Sequence, residues 1–398
     1  MTGKPRFGVL WLANFVLFLS FYMLTVVTPL YARNVVGVAE RTVGTLVGVL
    51  SLVSVLMKPY AGWVTDRFGR RPVMMIGAFF FVAGSVSYGW CATALALIAA
   101  RGLHGIGMGL YPTGNTAMVA DVVPAERRGE MMGIMGAGAN LAMALAPIVG
   151  LTVARQFGFG AAFVMSAGLA GAASLLVWTQ VRETLREPSR RPLRLGQTLS
   201  RSSLFPSALS GSLLATFGVQ LAFTPIYSEA HGLNSGAFFV ALGLVIAIAR
   251  GPGGRLSDRV GRAPVAAAGL FFAASGLVTL VARPDLLGLV TAGMLYGIGF
   301  GSASPALLAW SVDGVSQQDR GRAIGTYQMA FDLGFAFGAV LSGFAVEAVG
   351  FEGTFLAAAG IALTASALAL RRWHRDLVGA TQAGTRCFGK APHAPHFR

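Results

Sequence analysis

Asp332 stands in the middle of a long apolar stretch, the one carboxylate of the chain that can be placed so. Burial disfavours the charged form of a carboxylic acid, so an acid there can bind and release a proton as its exposure alternates. Counted from the start of its stretch near Arg322, it lies about 15 Å deep. A neutral, hydrogen-bonded aspartate, or a helix contact paired with a buried base, are the structural alternatives. Arg101 and His104, in Arg101-Gly-Leu-His104, form a second constellation. The arginine sits roughly 10 Å into its stretch. An arginine at such depth costs about 2.5–3.5 kcal/mol on insertion scales, so it must face protein and find a partner. His104 is three residues on, on the same helical face. The two suit proton coupling or substrate contact; a snorkelling arginine and a hydrogen-bonded core imidazole are the alternatives. Asn14, Tyr22, Asn140 and Gln220 supply further polar groups for a substrate cavity.

Catalytic chemistry has no foothold. Serine, histidine and acid do not cluster, and Gly105-Ile106-Gly107 lies inside an apolar stretch, where a phosphate loop has no strand to follow. Cys91 and Cys387 provide neither a disulfide framework nor metal spacing. No enzyme activity, cofactor or metal is expected. Without ATP-binding motifs, energy must come from an ion gradient or from the substrate's own gradient.

The elements that position these groups follow from composition. Of 398 residues, 55% are hydrophobic and only 12% charged, too few polar groups to cover a soluble core. Apolar blocks of about 20 residues recur, long enough to cross a hydrocarbon layer about 30 Å thick. The predicted spans are 7–30, 43–62, 72–91, 94–118, 130–154 and 159–180, then 204–228, 235–252, 263–282, 286–311, 322–345 and 351–371. The fold class is an all-α membrane protein of twelve transmembrane helices. Its first block is too long for a signal peptide and lacks a small-residue cleavage site.

The formal charge of +15 would suggest nucleic acid in a soluble chain, but here the positives fall in short loops between spans. Of the 31 Lys and Arg, Arg33, Arg41, Arg155 and Arg283 lie on one side, and Lys58, Arg101 and Arg250 lie within or at the ends of spans. The rest lie on the other side, which places both termini in the cytoplasm. The division expected is a first bundle 1–180, a basic linker 181–203, a second bundle 204–371 and a disordered tail 372–398.

The two halves repeat. Asp66 in Gly-Trp-Val-Thr-Asp-Arg-Phe-Gly-Arg and Asp258 in Gly-Arg-Leu-Ser-Asp-Arg-Val-Gly-Arg differ by 192 positions. The same offset pairs Gly105 with Gly297, Asp121 with Asp313, Arg128 with Arg320, Gly133 with Gly325 and Phe163 with Phe355. Asn140 pairs with Asp332. Parallel repeats about an axis along the membrane normal point to alternating access, with a site near the midplane between two pseudo-symmetric six-helix bundles.

At this point the chain resembles the major facilitator superfamily, over residues 7 to 371. Gly62, Asp66, Arg67, Gly69 and Arg70 match its signature between helices 2 and 3, and Gly254, Asp258, Arg259, Gly261 and Arg262 repeat it. Arg101-Gly-Leu-His-Gly-Ile-Gly is similar to the helix 4 motif, and Asp121-Val-Val-Pro-Ala-Glu-Arg-Arg-Gly to the signature after helix 4. The resemblance implies a conformational latch: Asp66 facing the positive N-terminal end of helix 11, and Arg70 reaching an acid such as Asp121. In helix 5, Gly133, Ala146, Pro147 and Gly150 resemble the interface signature of drug/proton antiporters. Alanines at 142 and 146 and Leu151 depart from it, and helix 1 lacks the embedded acid of several multidrug antiporters. What the resemblance implies is a proton-coupled exporter of a small organic molecule in a prokaryotic inner membrane. A symporter or uniporter for a sugar or organic acid, and a sensor or assembly subunit on a transporter fold, are its rivals.

Overall fold

The computed structural model describes residues 7–124, 127–185, 200–313, 315 and 319–386. Most of the basic linker, 186–199, lies outside the described residues, as does the end of the tail, 387–398. Among the described residues stand eleven long helices: α1 (Phe7–Asn34), α2 (Glu40–Phe68), α3 (Arg70–Ser87), α4 (Ala94–Val122), α5 (Arg128–Phe157), α6 (Phe159–Gln180), α7 (Leu204–Ala230), α8 (Gly236–Val260), α9 (Arg262–Ala282), α10 (Leu286–Val312) and α11 (Arg320–Arg386). All are long and apolar enough to span a bilayer. Large apolar side chains such as Phe79, Val164, Ile248 and Phe337 are more than half exposed, as they must be where lipid replaces water.

Gly350, at φ 75° and ψ 179°, breaks α11 where the sequence places the junction between its last two spans. The same helix runs on to Arg386, into the stretch expected as a tail from residue 372. No proline falls between Arg372 and Arg386, and leucine, alanine, glutamine and arginine there favour continuation.

The sequence repeat extends to packing. α1 lies on α5 and α6, α2 on α4, and α3 on α4 and α6; α7 lies on α11, α8 on α10, and α9 on α10 and α11. A Cβ on Gly105 would come within 2.7 Å of the Leu50 carbonyl, and one on its mate Gly297 within 3.0 Å of the Leu242 carbonyl. Leu50 and Leu242 are themselves 192 positions apart, so the close backbone approach was duplicated with the chain. Gly69 (φ 112°) and Gly261 (φ 107°) turn the chain from α2 to α3 and from α8 to α9 at conformations that side chains rarely adopt. These two turns mark one end of the molecule, called the basic end below.

Candidate functional site

The halves meet mainly through α2 against α11 and α5 against α8. At the end away from the basic turns the contact is tight. A Cβ on Gly44 would sit 2.3 Å from the Ala339 carbonyl, and one on Gly48 2.6 Å from that of Ala336. A Cβ on Gly243 of α8 would fall 2.5 Å from Ala144 of α5. Polar ties close the same end: the Arg41 amide donates to Glu347 Oε1 (3.2 Å) and the Asn34 amide to Glu229 Oε2 (3.0 Å). Toward the basic end the helices part. Gly62, Gly254, Gly133 and Gly325, two repeat pairs on α2, α8, α5 and α11, each face open space.

Lys58 and Asp332 form an ion pair where closed contact gives way to the opening. Asp332 follows the face of α11 that carries Ala336, Ala339 and Gly343 onto α2, one to three turns further along. Lys58 lies ten residues, about 15 Å, along α2 from Gly48. The Asp332 side chain is 15% exposed and that of Lys58 37%, so the carboxylate is sheltered while the ammonium reaches the opening. Of the alternatives open for Asp332, the structure thus gives it a basic partner, and one that belongs to the opposite half.

Arg101 and His104 are not brought to Asp332. Both are about 1% exposed. His104 Nε2 donates to the Phe81 carbonyl (3.1 Å) and its Nδ1 faces the Tyr88 hydroxyl at 3.4 Å. Its ring packs on Phe81 and Tyr88. The position 192 residues on is Tyr296, also buried and hydrogen-bonded, to the Thr216 hydroxyl at 2.7 Å. Arg101 lies beside Tyr88, with Nε and Nη1 lacking hydrogen-bond partners. The two belong to a polar cluster inside the first half, which continues through Ser85, Ser166 and Ser20.

The four expected cavity residues divide. Asn14 is buried and accepts from the Asn115 amide (3.0 Å), joining α1 to α4. Gln220 is buried within α7, its Oε1 accepting from the Thr224 hydroxyl at 2.8 Å. Asn140 lines a 460 Å³ cavity between α5 and α8, and Tyr22 is half-buried among Phe18 and Phe21. On α5, Gly133 opens on the same cavity, Ala146 and Pro147 are buried, and Gly150 allows close approach to Met23 of α1.

At the basic end, Arg70 Nε donates to Asp121 Oδ2 (2.9 Å), Nη1 donates to the Thr65 carbonyl (3.0 Å), and Nη2 lies 3.6 Å from Asp66. Asp66 is exposed, and among the described residues its ion pair is this one within its own half. Arg67 stacks on Trp63. In the second half Arg262 repeats the pattern with Asp313 (3.1 Å) and Asp258, while Arg259 is exposed. Sequence reading missed Glu183. Its carboxylate accepts from the Arg70 amide (3.1 Å) and the Arg71 amide (2.9 Å), so it caps α3 from 113 positions away. The neighbouring Thr184 hydroxyl donates to Asp121 Oδ2 (2.7 Å). The corresponding position in the second half is Arg375, so the cap is not duplicated. Glu183→Ala should lower stability by about 1–3 kcal/mol, read as a drop in thermal midpoint of the purified protein, because two helix-terminal amides lose a charged acceptor. An unchanged midpoint would show that water replaces the cap.

Comparison with known proteins places these features in a family. The model of the Major Facilitator Superfamily matches residues 10–250 and 235–385. The MFS-type transporter YhhS of Escherichia coli K12 is 28% identical over 372 residues, 90% of this chain and 90% of its own length. The multi-drug resistance efflux pump PmrA of Streptococcus pneumoniae is 23% identical over 378 residues, covering 90% of this chain and 93% of its own. Among solved structures, the human organic anion transporter MFSD10 superposes with a TM-score of 0.67 at 22% identity, over 91% of this chain and 98% of its own. Duplicated turns, repeated helix packing and matched sequence agree: the chain belongs to the Major Facilitator Superfamily of membrane transporters.

Proposed function

We propose that the protein is a proton-coupled exporter of a small organic molecule, working by alternating access in a prokaryotic inner membrane. Dividing α11 at Gly350 gives twelve spans in two groups of six. The weight of Lys and Arg puts the basic end and both termini in the cytoplasm, which makes the described conformation inward-open.

The observation that carries the reading is the Lys58–Asp332 pair, which joins the halves at mid-depth on the rim of the opening. In this state Asp332 is an ionised partner of Lys58. In the opposite state, opened to the outside, it takes up a proton, and the neutral acid no longer holds the ammonium. Return to the inward-open state releases the proton to the cytoplasm and re-forms the pair. The proton route uses Asp332 and Lys58; Arg101 and His104, enclosed in their own cluster, brace the first half. When the far end opens, the basic end closes, and Asp66 then meets the start of α11 as the latch. Export, rather than uptake, is supported by the helix 5 pattern and by the likeness to PmrA, described as an efflux pump.

Everted vesicles energised to be acid inside test this directly. Addition of a transported compound should release protons from the lumen, read with a fluorescent pH probe, in vesicles containing the protein and not in controls. Gradient-driven movement of a compound with no proton release would identify a uniporter instead.

A further inference from the structure

The repeat offset of 192 maps Lys58 onto Arg250 and Asn140 onto Asp332. The Lys58–Asp332 pair between α2 and α11 therefore has a symmetry-related counterpart between α8 and α5, namely Arg250 and Asn140. There an amide stands where the other interface has the carboxylate. Arg250 is exposed to the opening, and among the described residues it has neither a hydrogen-bond partner nor a carboxylate within ion-pair distance. Its Nη1 reaches across to α5, 3.9 Å from where a Cβ would stand on Gly136, one turn from Asn140. Gly133, Gly136 and Asn140 of α5, with Ala247, Arg250 and Gly251 of α8, line the 460 Å³ cavity.

Mid-depth thus holds two cations, Lys58 and Arg250, against one carboxylate, Asp332. The uncompensated charge lies on the residue that faces the cavity, at the interface whose symmetry mate is closed by an ion pair. We propose that Arg250 and Asn140 receive the acidic group of the substrate, a carboxylate or phosphonate, and that the transported molecules are small organic anions. The assignment rests on the transporter reading of this same opening.

The chemistry fits the parts. A guanidinium presents a planar fork of donors that matches two oxygens of an acid, and the Asn140 amide adds another donor. Gly136 leaves bare backbone beside the guanidinium and Gly133 faces open space, which gives the acid room. The substrate anion then completes at this interface what Asp332 supplies at the other. A cationic occupant would be shut in with Arg250 when the halves close, a like-charge contact in a site of low dielectric.

Purified protein in nanodiscs, titrated with benzoate and phenylphosphonate against benzyltrimethylammonium and benzyl alcohol, tests the proposal by isothermal calorimetry. The two acids should bind and the cation and alcohol should not. Arg250→Gln should weaken acid binding roughly 10- to 100-fold, the loss expected for hydrogen bonds to a charged group. Arg250→Lys should lose less. Asn140→Asp supplies Arg250 with the carboxylate it lacks, and should abolish acid binding while leaving a cooperative thermal transition. Acid binding that survives unchanged in both Arg250→Gln and Asn140→Asp would overturn the assignment, as would wild-type binding of the cation in preference to the acids. Acid binding without any proton release in vesicles would strike the coupling mechanism and leave this site standing. Proton-coupled export of cations, indifferent to Arg250→Gln, would do the reverse.

Discussion

In Asp332→Asn protein, a transported compound added to acid-loaded everted vesicles is expected to release no protons above background. The amide keeps the shape of the side chain but has no proton to exchange, so coupling is lost at its source. Binding and passive exchange of the compound should persist, within about fivefold of wild type, the change that losing a partly exposed ion pair worth ~1 kcal/mol would produce. A separation of the two readouts is the signature: exchange retained, proton release gone. Lys58→Gln provides the contrast, because it removes the partner and keeps the acid. It should still release protons. Equal loss in both single variants would mean that the pair only fastens α2 to α11, and retained release in Asp332→Asn would move the proton site elsewhere.

The second large effect is expected at Gly48. A Cβ there would meet Val340 Cγ2 at 2.5 Å and the Ala336 carbonyl at 2.6 Å. Gly48→Leu therefore overfills the closed end, at a cost of about 1–3 kcal/mol. That strain is relieved when the far end opens, so it acts on the balance between states instead of on folding. Alternative states of a protein typically differ by a few kcal/mol, so the population should shift roughly 5- to 150-fold toward the state opened at the far end, with transport falling in proportion. Spin labels on Val35 and Val349, both exposed at that end, should report a longer distance in the Gly48→Leu protein than in wild type. An unchanged distance with full transport would show that α2 and α11 never separate there.

What the chain discloses before folding is what the duplication copied. The offset of 192 anticipated the paired turns at Gly69 and Gly261, and the glycines that bring α4 and α10 against α2 and α8. The depth of Asp332 could be counted from its own span. Its partner could not, because Lys58 lies 274 positions away and the choice of helix that faces α11 is made by packing across the halves. The offset does hold a clue: Lys58 and Arg250 are mates, as are Asn140 and Asp332, so two cations and one acid at equivalent places suggest a shared layer. Glu183 was illegible for a related reason. A cap is sought beside the helix it serves, and this one arrives from beyond α6. Polarity in a span marks a partner as readily as a cavity, and Asn14 and Gln220 are hydrogen-bonded to Asn115 and Thr224. Gly350 falls between the expected spans 322–345 and 351–371, at the one non-helical φ/ψ described inside α11.

The uneven count of charges at mid-depth has an electrical consequence. With an acid anion on Arg250 and Asp332 ionised, the moving site carries no net charge, so the loaded step outward is indifferent to membrane voltage. After delivery, with Asp332 protonated, Lys58 and Arg250 leave the empty site at two positive charges. The return then moves with an interior-negative potential, and each charge contributes about 2.3 kcal/mol per 100 mV when it crosses the full field. In the proposed cycle the voltage-sensing step would therefore be the resetting of the empty carrier, and export would draw its current from a step in which no cargo moves.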